Sequence, residues 1–102
     1  MINYQRIIKD CFWDENISEK EIDSILNSSD FRRKSFLFEK ILLNSTRLFL
    51  DLSIFGIIEL KKFLEEYRVP AFNRDFIFRR KNLAEVYFLD KPLLIDDLKW
   101  KI

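Results

Sequence analysis

The residues best equipped for recognition chemistry fall in one stretch, Phe72 to Leu89, which reads FNRDFIFRRKNLAEVYFL. Arg74, Arg79, Arg80 and Lys81 are of the type that neutralises phosphates, and Asn82 of the type that pairs with a base edge. With Arg68 included and Asp75 and Glu85 subtracted, residues 68–85 carry a net charge of +3. The segment RVPAFN joins this stretch to a preceding helical one, as a helix-turn-helix joins its members, but it is longer than that motif's turn. The competing reading makes the cations the wet side of a core helix. Three consecutive residues advance about 100° each, so they wrap round the helix and cannot face one groove. On that reading Phe76, Leu83 and Tyr87 face the core, with Ile77, Ala84 and Phe88 on the adjoining stripe. The triplet Arg79–Arg80–Lys81 then flanks a protein interface.

Other chemistries lack their side chains. There is no histidine, which removes Ser-His and Cys-His nucleophiles, His-metal sites and the commonest general base. A single glycine leaves no Gly-rich loop to cradle a phosphate. The acidic pairs Asp14–Glu15, Glu65–Glu66 and Asp96–Asp97 are adjacent in sequence, and nothing in their spacing makes carboxylates converge as metal or glycosidase chemistry requires. The expectation is a protein that is not an enzyme and needs no cofactor or metal. Aromatic anchors are better represented. Phe12 and Trp13 sit at a helix end, Phe72 at a turn, and Trp100 in an apolar tail, KPLLIDDLKWKI. Trp is a favoured anchor where exposed, but an isolated aromatic residue more often packs on its own core.

The elements that must hold these residues are helices. Tyr4, Ile7, Ile8 and Cys11 recur at helical spacing, predicting a short helix over about 2–12. Ser18 and Glu21 have the spacing of a capping box ahead of Ile22, Ile25 and Leu26. Asp30, or a serine before it, caps a third helix through about Asn44. Leu48, Leu50 and Leu52 alternate like a strand, whereas Leu48, Leu52 and Phe55 fit a helix. A short helix is preferred over residues 46–55, because no second strand exists to pair with. Gly56 marks a helix end or bend, and Ile57 to Tyr67 form a helix with Ile57, Leu60, Phe63, Leu64 and Tyr67 on its apolar side. Pro70 disfavours helical geometry at Val69, Asn73 caps the next helix through about Leu89, and Pro92 ends it. The tail, from about residue 90, either packs on the core or docks on another chain.

One domain of 102 residues, 48% hydrophobic and with eleven Phe but one Gly and two Pro, suits an all-α bundle of four to six helices better than a β-sandwich with its frequent tight turns. The total charge is +1. Residues 1–30 carry a net of −4 and residues 31–102 a net of +5, a polarity that suits a charged partner or head-to-tail self-association. One cysteine, no signal-peptide-like start and no long uncharged run make a soluble cytoplasmic protein, without a membrane partner, the expectation.

Four stretches in order, CFWDEN, FLFEKILLNS, DLSIFGIIELKKFLEEYR and RRKNLAEVYFL, resemble a family of small all-helical proteins. These are encoded beside abortive-infection nucleotidyltransferase toxins and are taken to be their antitoxins. The resemblance spans roughly residues 11–89. Phe12, Trp13 and Asp14 match its early motif, and Arg79, Arg80, Asn82, Leu83, Ala84 and Tyr87 match its closing basic-then-aromatic helix. It implies a toxin partner and no catalytic residue. The leading expectation is therefore a non-catalytic protein-binding module, antitoxin-like, with Phe12, Trp13, Phe72, Arg79, Arg80, Lys81 and Trp100 meeting the partner. The alternative is a small DNA- or RNA-binding protein using Arg74, Arg79, Arg80, Lys81 and Asn82.

Overall fold

The computed structural model of the chain describes residues 3–13 and 16–94. Six helices occur among them: α1 (Tyr4–Cys11), α2 (Glu19–Asn27), α3 (Phe31–Asn44), α4 (Leu48–Leu52), α5 (Ile57–Glu66) and α6 (Arg74–Leu89), with no strand. The all-α expectation holds, and residues 46–55 resolve as the short helix α4. Trp100 and the remainder of the expected docking tail from residue 95 on lie outside the described residues, as do Asp14 and Glu15.

Three of the six helices, α1, α2 and α3, begin where a short polar side chain satisfies the first free N–H groups. Asn3 Oδ1 accepts from the Arg6 amide at 3.1 Å, and Ser18 Oγ accepts from the Glu21 amide at 3.2 Å. Asp30 Oδ1 accepts from the Arg32 and Arg33 amides at 3.1 and 3.3 Å. Asn73 departs from its expected role. It precedes α6 with φ 48° and ψ 35° and makes no side-chain cap, so it serves as a residue that tolerates left-handed backbone. Asp90 does the same at the other end, with φ 56°. There the Lys91 amide donates back to the Glu85 carbonyl at 3.3 Å and reverses the chain.

Helix α3 is the axis of the fold, packed by α1, α2, α4 and α6, while α5 pairs with α6. Phe38 of α3 lies at the centre of an aromatic nest. It stacks on Phe63 at 5.3 Å and meets Phe55 and Tyr67 edge-on at 6.3 and 6.0 Å, which are favoured geometries for ring pairs. Around it Ile7, Ile22, Leu37, Ile41, Leu42, Leu52, Leu60 and Leu64 are buried in one cluster. Ile57, expected on the apolar side of α5, is exposed instead. Phe12 is also part of this core, 1% exposed and 6.3 Å from the Phe36 ring. It is not available as a surface anchor, because the chain turns inward where α1 ends. No helix among the described residues is long and apolar enough to cross a membrane.

Candidate functional site

Helix α6 is apolar on two sides, and the described residues cover only one of them. Ile77 and Ala84 are buried and Phe88 packs against the core. The companion row expected to face the core does not. Phe76 is 52% exposed and Tyr87 64% exposed, with Leu83 partly exposed between them. Positions 76, 83 and 87 fall within about 40° of one another on a helix and span ~16 Å of its length. Helix α4 extends this face sideways. The Phe49 ring lies flat on Tyr87, with centroids 4.3 Å apart and planes 7° apart, and Phe88 closes the corner edge-on to both. Leu50 is exposed on the same short helix. The result is a cluster of exposed apolar and aromatic side chains on α6 and α4.

The cations that looked like a recognition set are mostly engaged. Arg80 turns inward onto the C-terminal end of α3, where the last carbonyls lack intrahelical partners. Its guanidinium donates to the Leu42 carbonyl, to Ile41 at 3.3 Å and to Ser45 at 2.6 Å, while the Phe76 ring lies 5.4 Å from it. Burial lowers its pKa from the ordinary guanidinium value. Lys81 pairs with Glu85 one turn on, at 2.7 Å. Asn82 is 1% exposed; its amide donates to the Pro92 carbonyl at 3.2 Å and accepts from the Leu94 amide at 2.7 Å. It therefore holds the returning chain and presents nothing to a base. Of the five residues in the nucleic-acid reading, Arg74 is exposed and Arg79 is partly exposed. The remaining two aromatic candidates, Trp13 (66%) and Phe72 (64%), are exposed.

A second constellation escaped the sequence reading. Asp51, buried in α4, accepts both arms of the Arg6 fork, one at 2.8 Å, and the Ser45 hydroxyl at 2.5 Å. Next to it, Asp10 accepts from the Thr46 amide at 3.1 Å and the Thr46 hydroxyl at 2.5 Å, with Arg6 at 3.5 Å. Hydrogen bonding to Asp51 raises the Arg6 pKa against the opposing effect of burial. These groups tie α1, the 45–47 turn and α4 into a self-satisfied polar hub, with Arg80 closing it from α6. A lone aspartate inside the apolar run LFLDLSIF was the signal for it, since a buried carboxylate demands a partner.

Cys11 abuts this hub and is wholly buried. Burial, followed by the charges of Asp51 and Asp10, pushes its thiol from 9.0 to about 12, so it is a packing residue and not a nucleophile. The folded value lies above the unfolded one. The protonated thiol's contribution to stability is therefore whole below pH 9 and is lost as pH rises through about 12. Urea unfolding of the wild type and Cys11→Ala at pH 8, 10 and 11 reads this directly, and the wild type should lose more stability over that range.

No metal-binding cluster of acidic or cysteine residues occurs among the described residues. No known protein family, curated protein or solved structure matches this chain.

Proposed function

We propose that this chain is a non-catalytic protein-binding module, an antitoxin-like partner of a larger protein, which docks through the exposed face of α6 and α4. The observation that carries the proposal is the row Phe76, Leu83 and Tyr87, with Phe49 stacked beside it, left open although the same helix has already buried its other apolar side. Large aromatic residues on a rigid helix are the side chains that dominate protein interfaces. Arg47 is exposed at the start of α4, two positions before the stacked Phe49, so the matching surface is an apolar ridge with an acidic flank. A cytoplasmic setting belongs to the same proposal, in keeping with a single free, buried cysteine.

The test is a set of three surface substitutions made together, Phe76→Ser, Leu83→Ser and Tyr87→Ser. Each site is at least partly exposed, so helix content should be retained. A partner that co-isolates with the wild type from its native cell should be lost. A partner retained undiminished by this variant would remove the α6 face from the account.

A further inference from the structure

The cleft between α3 and α5 has a volume of about 360 Å³ and an unusual lining. Three rings, Phe31, Phe63 and Tyr67, supply its aromatic walls, and Ser35, Glu39 and Glu66 supply oxygens. Arg68 is also at the cleft. The Tyr67 hydroxyl is buried there without a hydrogen-bond partner, a state that native proteins seldom leave unexplained. Burial and the neighbouring Glu39 carboxylate push this phenol to about 12, so it stays neutral. One ring already attracts a cation, since the Lys62 ammonium lies 4.9 Å from the centre of Phe31.

We propose that this cleft receives an arginine side chain of the protein partner. A guanidinium carries five N–H donors and no acceptor, which complements a lining whose two carboxylates outnumber its one cation, Arg68, and which adds two hydroxyls. Its plane stacks on aromatic rings at low desolvation cost, where an ammonium is held more strongly by water. The Tyr67 hydroxyl, without a partner in the chain alone, gains one. The cleft lies on α3 and α5 and the docking row on α6 and α4, so the two are separate surfaces of the chain. The proposal rests on the protein-binding reading for the source of the guanidinium.

The probe is N-acetyl-L-arginine methylamide, titrated into the isotope-labelled full chain and followed by NMR. Saturable shifts should centre on Phe31, Phe63 and Tyr67 and be absent with the neutral isostere N-acetyl-L-citrulline methylamide. Glu39→Gln with Glu66→Gln should weaken binding about tenfold, as expected for hydrogen bonds to charged groups. Equal shifts with citrulline, shifts scattered over the surface, or affinity unchanged by the double substitution would each overturn the proposal. The citrulline comparison uses the unaltered chain and decides the matter even if the double variant folds poorly. Failure here leaves the α6 substitutions to test the docking row on their own.

Discussion

Replacing Asp51 by Ala should lower the unfolding free energy by about 3 kcal/mol or more, the range for breaking a buried ion pair from one side. Asp51 is 1% exposed and holds the Arg6 fork and the Ser45 hydroxyl at once. Removing it strands a guanidinium whose side chain is only 20% exposed. Arg6 can fall back on Asp10, 3.5 Å away, which places the expected loss at the lower end of that range. Asp51→Asn keeps the shape and one acceptor and should cost less than Ala. Arg6→Met in the Asp51→Ala background should recover part of the loss, because the stranded charge goes with it. Urea denaturation of the four chains measures all of this. A loss under about 1 kcal/mol for Asp51→Ala would mean that the pair is as weak as an exposed one.

Arg80→Ala comes next, with an expected loss of about 2–4 kcal/mol for the Leu42 and Ser45 carbonyls that lose the guanidinium in a partly buried place, the Ile41 carbonyl keeping the Ser45 amide. Arg80 is the C-terminal cap of α3 delivered from another helix, so its loss loosens the contact that joins α6 to the centre of the fold. Arg80→Lys should recover only part, because an ammonium does not reproduce the guanidinium fork that serves Leu42, Ile41 and Ser45 together. Arg74→Ala, exposed on the first turn of the same helix, should change stability by no more than about 0.5 kcal/mol. Equal effects at 74 and 80 would contradict the inward placement of Arg80.

The helices were readable in the chain because their signals are local. Ser18 and Asp30 stand where caps were expected, and the 3.6-residue recurrence of Ile22, Ile25, Leu37, Phe38, Ile41 and Leu42 points at the core those residues form. Phe12 was misread as an anchor because a lone aromatic at a helix end looks the same whether the chain turns in or out. The sidedness of α6 failed for a different reason. Two apolar rows, Phe76–Leu83–Tyr87 and Ile77–Ala84–Phe88, satisfy the same periodicity, and only the neighbouring helices decide which is covered. The hub was out of reach for a third reason. Arg6 and Asp51 are 45 positions apart and Arg80 and Leu42 are 38 apart, so no spacing rule joins them. Within the triplet Arg79–Arg80–Lys81, sequence shows three equal cations, whereas the fold uses one as a helix cap and pairs another along its own helix.

The central claim is that the open row on α6 touches a partner. Site-specific photo-crosslinking tests it most directly, with p-benzoylphenylalanine placed singly at Phe76, Leu83 and Tyr87 and, as a control, at Ser24 on the exposed side of α2. Illumination in the native cell should convert the chain to one heavier species from each of the three α6 positions and not from position 24. Linkage at position 24 alone, or none at any of the three α6 positions, would contradict the account.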